Sequence, residues 1–268
     1  MASLREIKDR IGSVRSTLKI TGAMKLVASA KLRKAQQAIA ALLPYEQTLH
    51  GIVSLVAGSS GELAGSVSDT APVAVVAVAS DSSLCGSFNA NIIRHALAEA
   101  GRYADPVIYP VGRKMVEAMK KTGYQLEYSD NLAASLADKF DRGEYSKVLL
   151  VYTHYVSTAS QRCVTEQFLP FTVEVGDEAA RKEELEGYIV EPSASDIVRA
   201  LLPQMLSLKM KAVLLDSEAA EQAARTIAMQ TASDNAEDIL EELTLQYNKG
   251  RQQKITAEIL DIVGGSMQ

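Results

Sequence analysis

The residues best suited to chemistry lie in one segment, Ser80–Asn89. It follows the apolar stretch Val73–Ala79, which reads as a buried strand, and α/β proteins bind ligands where such strands end. Cys85 could act as a nucleophile, and the nearest histidine is His95 on the next predicted helix. However, the segment matches neither of the two glycine-rich phosphate-binding patterns, G-x-G-x-x-G and G-x-x-x-x-G-K-[ST]. It also contains no lysine that could bind a phosphate. It therefore predicts a structural or partner-contacting turn, with a nucleotide site as the alternative.

Composition argues against several other kinds of site. The cysteines, Cys85 and Cys163, form no CxxC pair, and the three histidines do not cluster with them, so we expect no zinc site. We predict no catalytic, cofactor-binding or metal-binding residue. The formal net charge of −5 gives no reason to expect a nucleic acid partner.

A second polar cluster lies near the C-terminus, around Gly250, Arg251 and Gln252. Glycine weakens a helix by about 1 kcal/mol relative to alanine, so Gly250 predicts a close approach to another surface. Arginine and glutamine offer forked donors for carboxylate or backbone groups. The alternative is an ordinary exposed polar helix face.

Two long heptad patterns flank the chain. From about Leu4 to Val56, fifteen positions form one seam, of which twelve are apolar, and a second seam of twelve positions follows from Leu208, nine of them apolar. Such sustained repeats predict coiled-coil helices, with Pro44 starting a new turn or a bend and Gly264-Gly265 stopping the second helix. The seams comprise Ile7, Ile11, Val14, Leu18, Thr21, Lys25, Ala28, Leu32, Ala35, Ile39, Leu42, Glu46, Leu49, Val53 and Val56, then Leu208, Ala212, Leu215, Ala219, Gln222, Thr226, Met229, Ser233, Ala236, Leu240, Leu243 and Tyr247.

Strands and helices alternate between the two seams, which predicts a mostly parallel, Rossmann-like sheet with Gln161 to Val175 as an edge strand. We therefore predict an α/β fold class, in which a long antiparallel two-helix coiled coil carries an inserted Rossmann-like domain. The predicted boundaries are a helix over 1–57, a linker over 58–71, the α/β domain over 72–192 and a helix over 193–268, capped by Ser193 or Ser195. Intermolecular pairing into a coiled-coil dimer is the alternative.

Several motifs resemble one family, the gamma subunits of F-type ATP synthases. The resemblance covers both chain ends and the first strand-loop of the insert. It is carried by Ile20–Ala35, Asp81, Leu84–Gly86, Phe88-Asn89, Ala228-Met229, Ala232–Ala236, Tyr247–Lys249, Arg251-Gln252 and Ile255–Ser266.

The resemblance implies a function. A gamma subunit is the non-catalytic central-stalk rotor of a proton-translocating F-type ATP synthase. It couples rotation of the membrane c-ring to ATP synthesis or hydrolysis on the beta subunits, and it regulates ATPase activity and proton flow. The implied partners are the alpha and beta subunits, the epsilon subunit and the c-ring, with one copy of this chain per complex. The implied location is peripheral, on the cytoplasmic side of the cell inner membrane. The alternative is a nucleotide-binding α/β enzyme with a coiled-coil dimerisation arm.

The resemblance also implies contact residues. Arg251 and Gln252 match a pair that meets a beta-subunit loop, and Met24 and Lys25 are predicted at a similar height on the facing helix. Asp81 and Cys85 are further predicted beta-subunit contacts. Tyr188, Glu191 and Pro192 match a segment at the foot, near epsilon and the c-ring. The apolar tip, Ile259 to Val263, would turn inside an apolar sleeve.

Overall fold

The computed structural model describes residues 3–56, 71–171, 187–191 and 193–265. The chain divides into two compact units, residues 1–29 with 225–268, and residues 30–224. Its elements in chain order are α1 (Leu4–Val56), β1 (Val73–Val78), α2 (Phe88–Ala100), β2 (Val107–Val111), α3 (Arg113–Met119), β3 (Gln125–Leu126), α4 (Leu132–Asp141), β4 (Lys147–Tyr155), β5 (Gln161–Leu169) and α5 (Ala194–Gly265). The predicted fold class, two long terminal helices with an inserted α/β domain, is confirmed.

In the first unit, the two long helices run antiparallel. Leu4 contacts the α5 backbone at Gly250, and Thr21 hydrogen-bonds to Ser233. Residue numbers therefore increase along α1 while those of the neighbouring α5 residues decrease. All fifteen predicted seam positions of α1 and all twelve of α5 are buried or half-buried. The heptad pattern therefore identified the buried faces of both helices correctly.

In the second unit, α1 and α5 pack through two apolar clusters. Leu32 and Ala35 meet Ala219 and Ala223, and a separate cluster joins the Leu49 region of α1 to α5. Small alanine side chains let the two backbones approach closely, which is how a chain poor in aromatic residues still packs its core.

The same unit contains a five-stranded sheet in the order β3-β2-β1-β4-β5. The first four strands in this order are parallel, whereas β5 is an antiparallel edge strand. Helices α2 and α3 cover one face, and α4 with part of α5 covers the other. Burial on both faces explains why β1 and the Val148–Tyr152 part of β4 are continuous apolar runs rather than alternating ones.

The long helices agree with the sequence expectation at the glycine pair. The helix α1 continues through Pro44, and α5 extends to Gly265, the second glycine of the pair predicted to stop it. Ser193 does cap α5, since its Oγ accepts the Asp196 N–H at 3.2 Å. The predicted linker lies outside the described residues, except for its last position at 71. A second proline, Pro203, lies inside α5.

The two helix prolines lie at the same level of the helix pair. Tyr45 follows Pro44, Gln204 follows Pro203, and the Tyr45 hydroxyl donates to Gln204 Oε1 at 3.3 Å. Each proline removes one backbone donor from its helix. The pair therefore lacks one main-chain hydrogen bond in each helix at a single cross-section.

Candidate partner-contact sites

The Ser80–Asn89 loop is held together by its own hydrogen bonds. Ser80 Oγ donates to Asn89 Oδ1 at 2.9 Å, and Asn89 Nδ2 donates to Cys85 Sγ at 3.1 Å. Asp81 Oδ1 accepts the backbone N–H of Arg113 at 2.9 Å, at the start of α3. These side chains satisfy one another and a helix end, so the loop is built as a rigid turn.

Cys85 cannot make the partner contact predicted for it. It is 1% exposed and packs with Phe88 against Ala220 of α5. Its neighbour Leu84 is 60% exposed and has a φ of 67°, which is uncommon for a residue other than glycine. The left-handed turn thus buries the thiol and exposes the leucine, and sequence alone gave no signal of this reversal.

Lys25 contacts the second helix of its own chain. It is half-buried, as is Met24, and its Nζ donates to Gln230 Oε1 at 2.7 Å. Lys25 was predicted to face a partner subunit; the structure shows its hydrogen bond across the helix pair, and the contact with a partner subunit stays a prediction.

The axial register also corrects the predicted height of Met24 and Lys25 relative to Arg251. A Cβ added at Gly250 would lie 3.0 Å from Leu4 Cδ2, so Arg251 lies beside the start of α1. Lys25 is 21 positions further along α1, which is about 30 Å at about 1.5 Å per residue. The two predicted contact pairs therefore lie at different heights.

Arg251 and Gln252 begin a stretch of α5 that has no helix beside it among the described residues. Every residue over 251–260 is exposed. The exposed side chains of this stretch include Ile255, Ile259 and Leu260, and Ile262 beyond it is exposed as well. The predicted close approach at Gly250 is real, and its partner is Leu4 within the same chain.

The predicted foot residues lie in the short described segment over 187–191. Tyr188 is 62% exposed, Ile189 is 91% exposed, and Glu191 is also exposed. Pro192 lies outside the described residues. Ile189, which the sequence reading did not single out, presents the largest exposed apolar fraction of the segment.

A polar cluster that the sequence reading missed connects α4 to the sheet. The Tyr109 hydroxyl donates to Glu127 Oε2 at 2.6 Å and lies 2.8 Å from the Tyr145 hydroxyl, while Lys139 forms an ion pair with Glu127. Hydrogen bonds from Lys139 and Tyr109 lower the pKa of Glu127. Burial, followed by the bond to Glu127, raises the pKa of Tyr109. The polar groups of this cluster hydrogen-bond to one another and hold α4 against the sheet. We therefore assign the cluster a structural role.

Among the described residues, no group of three or more histidine, cysteine or acidic side chains is placed to hold a metal ion. In the same part of the chain, no helix combines the length and apolarity that crossing a membrane requires. Exposed apolar side chains lie at Leu84, at Tyr188 and Ile189, and at Ile255, Ile259, Leu260 and Ile262.

A family model described as ATP synthase matches residues 3–267. An ATP synthase gamma chain of Phocaeicola vulgatus is 46% identical over 288 residues, covering 100% of both chains. The chain belongs to the ATP synthase gamma chain family. Another gamma chain, from Bacteroides thetaiotaomicron, is 42% identical with the same full coverage.

Membership of the gamma chain family agrees with the fold. A chain in the structure of the Euglena gracilis mitochondrial ATP synthase OSCP/F1/c-ring assembly, rotational state 3, superposes with a TM-score of 0.64. It is 20% identical, and the match covers 98% of this chain and 93% of that one. Two long helices with an α/β insert are thus an architecture that this chain shares with that one.

Proposed function

We propose that this chain is the central-stalk rotor subunit of a proton-translocating F-type ATP synthase. In this role it couples rotation of a membrane c-ring to ATP synthesis or hydrolysis on the beta subunits, and it carries no catalytic site itself. Its full-length identity to curated gamma chains supports the proposal. The location that goes with it is peripheral, on the cytoplasmic side of the cell inner membrane.

The observation that carries the proposal is the unaccompanied end of α5. Over 251–260 every residue is exposed, although the stretch includes Ile255, Ile259 and Leu260. Apolar side chains that one chain leaves in water mark a surface for a partner. A helix end of this kind fits a sleeve formed by alpha and beta subunits, where few directional bonds would resist turning.

The rotor has to treat chemically identical beta subunits differently. A stalk can bias their conformations only through contacts that differ between its faces. Exposed Arg251 and Gln252 are proposed to form one such contact with a beta subunit, and Met24 with Lys25 a second one at another height. In the Ser80–Asn89 loop, Asp81 and Leu84 replace Cys85 as the proposed contact.

The foot of the rotor is proposed to include Tyr188, Glu191 and Pro192, facing the epsilon subunit and the c-ring. Exposed Ile189 adds an apolar contact between Tyr188 and Glu191. Only one copy of the chain is expected in each complex, since a single axle serves the ring of alpha and beta subunits.

The test is reconstitution of the chain with alpha and beta subunits. We expect a stable complex containing one copy of this chain and showing cooperative ATP hydrolysis. The isolated chain should neither bind ATP tightly nor turn it over. Tight ATP binding by the isolated chain, without complex formation, would instead identify a nucleotide-binding enzyme.

A further inference from the structure

Two charged contacts join α5 to the hairpin of β4 and β5 within the unit over 30–224. Lys209 Nζ lies 2.6 Å from Glu166 Oε2 on β5, and Asp216 Oδ2 lies 2.6 Å from His154 Nδ1 on β4. Because a carboxylate only accepts, the proton of this second contact belongs to His154 Nδ1. We call these four side chains the hairpin clasp.

Each carboxylate of the hairpin clasp has a second donor. Asp216 Oδ1 accepts the backbone N–H of Tyr155 at 3.0 Å, and Glu166 Oε1 accepts the Tyr152 hydroxyl at 2.8 Å. Burial raises the pKa of Glu166, but hydrogen bonds from Lys209 and Tyr152 outweigh it, and the pKa is lowered overall. Both carboxylates are therefore oriented by two groups each, unlike a freely rotating surface pair.

The two contacts are spaced along both elements. Lys209 and Asp216 are seven residues apart, which is two helical turns, so they share one side of α5 about 10 Å apart. On the hairpin, Glu166 pairs with Leu150, four residues before His154, a separation of about 13 Å along β4. A single contact would be a pivot, whereas two separated contacts oppose both sliding and swivelling of the helix on the hairpin.

The surface between the two contacts is apolar. Met210 and Val213 of α5 are buried in the same cluster as Tyr152 of β4. Apolar burial is non-directional, so it holds the helix against the sheet but resists sideways displacement weakly. Charged hydrogen bonds depend on direction and distance. Resistance to shear at this interface therefore depends on the hairpin clasp.

We propose that the hairpin clasp fixes the α/β domain to α5 against torque, so that Glu166, Lys209, His154 and Asp216 are positioning residues for rotary coupling. The inference depends on the proposed rotor function. If torque enters through the α/β domain and leaves through α5, this interface carries the shear. Slippage here would lose work without affecting ATP chemistry.

The test uses the complete ATP synthase in inverted vesicles, with Glu166→Gln and Asp216→Asn combined. Both substitutions keep side-chain size and an acceptor oxygen while removing the charge. The matched control is Glu117→Gln, which removes an ion pair with Lys114 inside α3 at a similar distance, 2.8 Å. ATP hydrolysis with an uncoupler present, and the largest proton gradient that ATP can sustain, are measured for each.

We expect the clasp variant to hydrolyse ATP at the parent rate when uncoupled but to sustain a gradient at least about twofold smaller. The control should match the parent in both. If the parent complex pumps protons and the clasp variant sustains the same gradient, the clasp proposal is overturned. If the parent complex itself does not pump, the rotor function fails instead.

Hydrogen exchange separates a role under torque from a static tether. Amides of residues 147–169 are followed in the complex, at rest and during ATP hydrolysis. In the clasp variant we expect exchange at least about tenfold faster during turnover than at rest, and no such difference in the parent. If exchange in the clasp variant is faster than in the parent by the same factor at rest and during ATP hydrolysis, the clasp is only a structural contact and carries no torque. Should the double variant fail to assemble, Glu166→Gln alone gives the same comparison.

Discussion

At the scale of single residues, a buried hydroxyl pair defines how α1 meets α5 in the first unit. Thr21 and Ser233 are each 8% exposed, and their hydroxyl oxygens lie 2.7 Å apart. Thr21 Oγ1 also donates to the Leu18 carbonyl at 3.1 Å. Thr21 has only one hydroxyl proton, so Ser233 must be the donor between the helices. Because the hydrogen bonds run from Ser233 to Thr21 and from Thr21 to Leu18, removing the Thr21 hydroxyl and removing the Ser233 hydroxyl should change stability by different amounts.

Thr21→Val should destabilise the helix pair more than Ser233→Ala. The valine leaves the buried Ser233 hydroxyl without an acceptor across the pair, which costs about 1–3 kcal/mol, whereas the alanine leaves Thr21 bonded to Leu18. The double variant should recover most of the loss, because no buried hydroxyl then remains. Thermal unfolding of the three variants measures this, and equal losses from both single changes would contradict the assigned donor.

Glu127 gives a prediction with a definite pH dependence. Its pKa lies below the ordinary value of 4.5 because Lys139 and Tyr109 donate to its carboxylate. Its contribution to stability is therefore complete above that value and is lost as the pH falls through the folded pKa. Glu127→Gln should lower the free energy of unfolding at neutral pH, and the difference from the parent should vanish in acid.

Urea unfolding at a series of pH values tests the Glu127 prediction. Glu117→Gln is the control, since Glu117 is exposed and paired within one helix, and such pairs contribute little. A Glu127→Gln deficit that persists unchanged into acid would show that the loss is one of packing rather than of charge.

At the scale of elements, the sequence predicted which faces of the long helices touch but not how far one is shifted along the other. A heptad seam looks the same after a shift of seven residues, so the apolar pattern alone leaves the register open. Polar pairs such as Lys25 with Gln230 fix it, because a shifted register would bury them unpaired. This is why Met24 was misplaced relative to Arg251.

Other features could not be predicted from the sequence, each for its own reason. The strand β3 has only two residues, too few for any periodicity to register. The direction of β5 depends on the hairpin turn that precedes it, and the burial of Cys85 depends on a positive φ at Leu84. By contrast, β1 and β4 were evident because strands covered on both faces are uniformly apolar.

The paired prolines predict a local weak point in the long helices. Pro44→Ala and Pro203→Ala should each restore a main-chain donor, slowing hydrogen exchange over the turn that follows by several-fold. Pro72→Ala is the control, because Pro72 lies outside any helix. Exchange that does not slow in either helix variant would show that the missing bonds are already compensated.

At the scale of the whole molecule, the exposed end of α5 is the surface that the proposed function assigns to partner subunits. Arg251→Ala should lower ATP-driven proton pumping by the complete complex by several-fold, because it removes a forked donor proposed to meet a beta subunit. Lys254→Ala removes another exposed cation, paired within the helix to Glu258 at 3.7 Å, and should have little effect. Unimpaired pumping by the Arg251 variant would rule out the role assigned to it.

The apolar side chains over 255–262 also matter before any complex exists. A freshly translated copy displays Ile255, Ile259, Leu260 and Ile262 to water, and sticky surfaces of this kind favour aggregation or proteolysis. Cells that make this polypeptide in excess of its companions should therefore accumulate little of the surplus. A helix end of this kind therefore favours balanced synthesis of this chain and its partner subunits over accumulation of the unassembled chain.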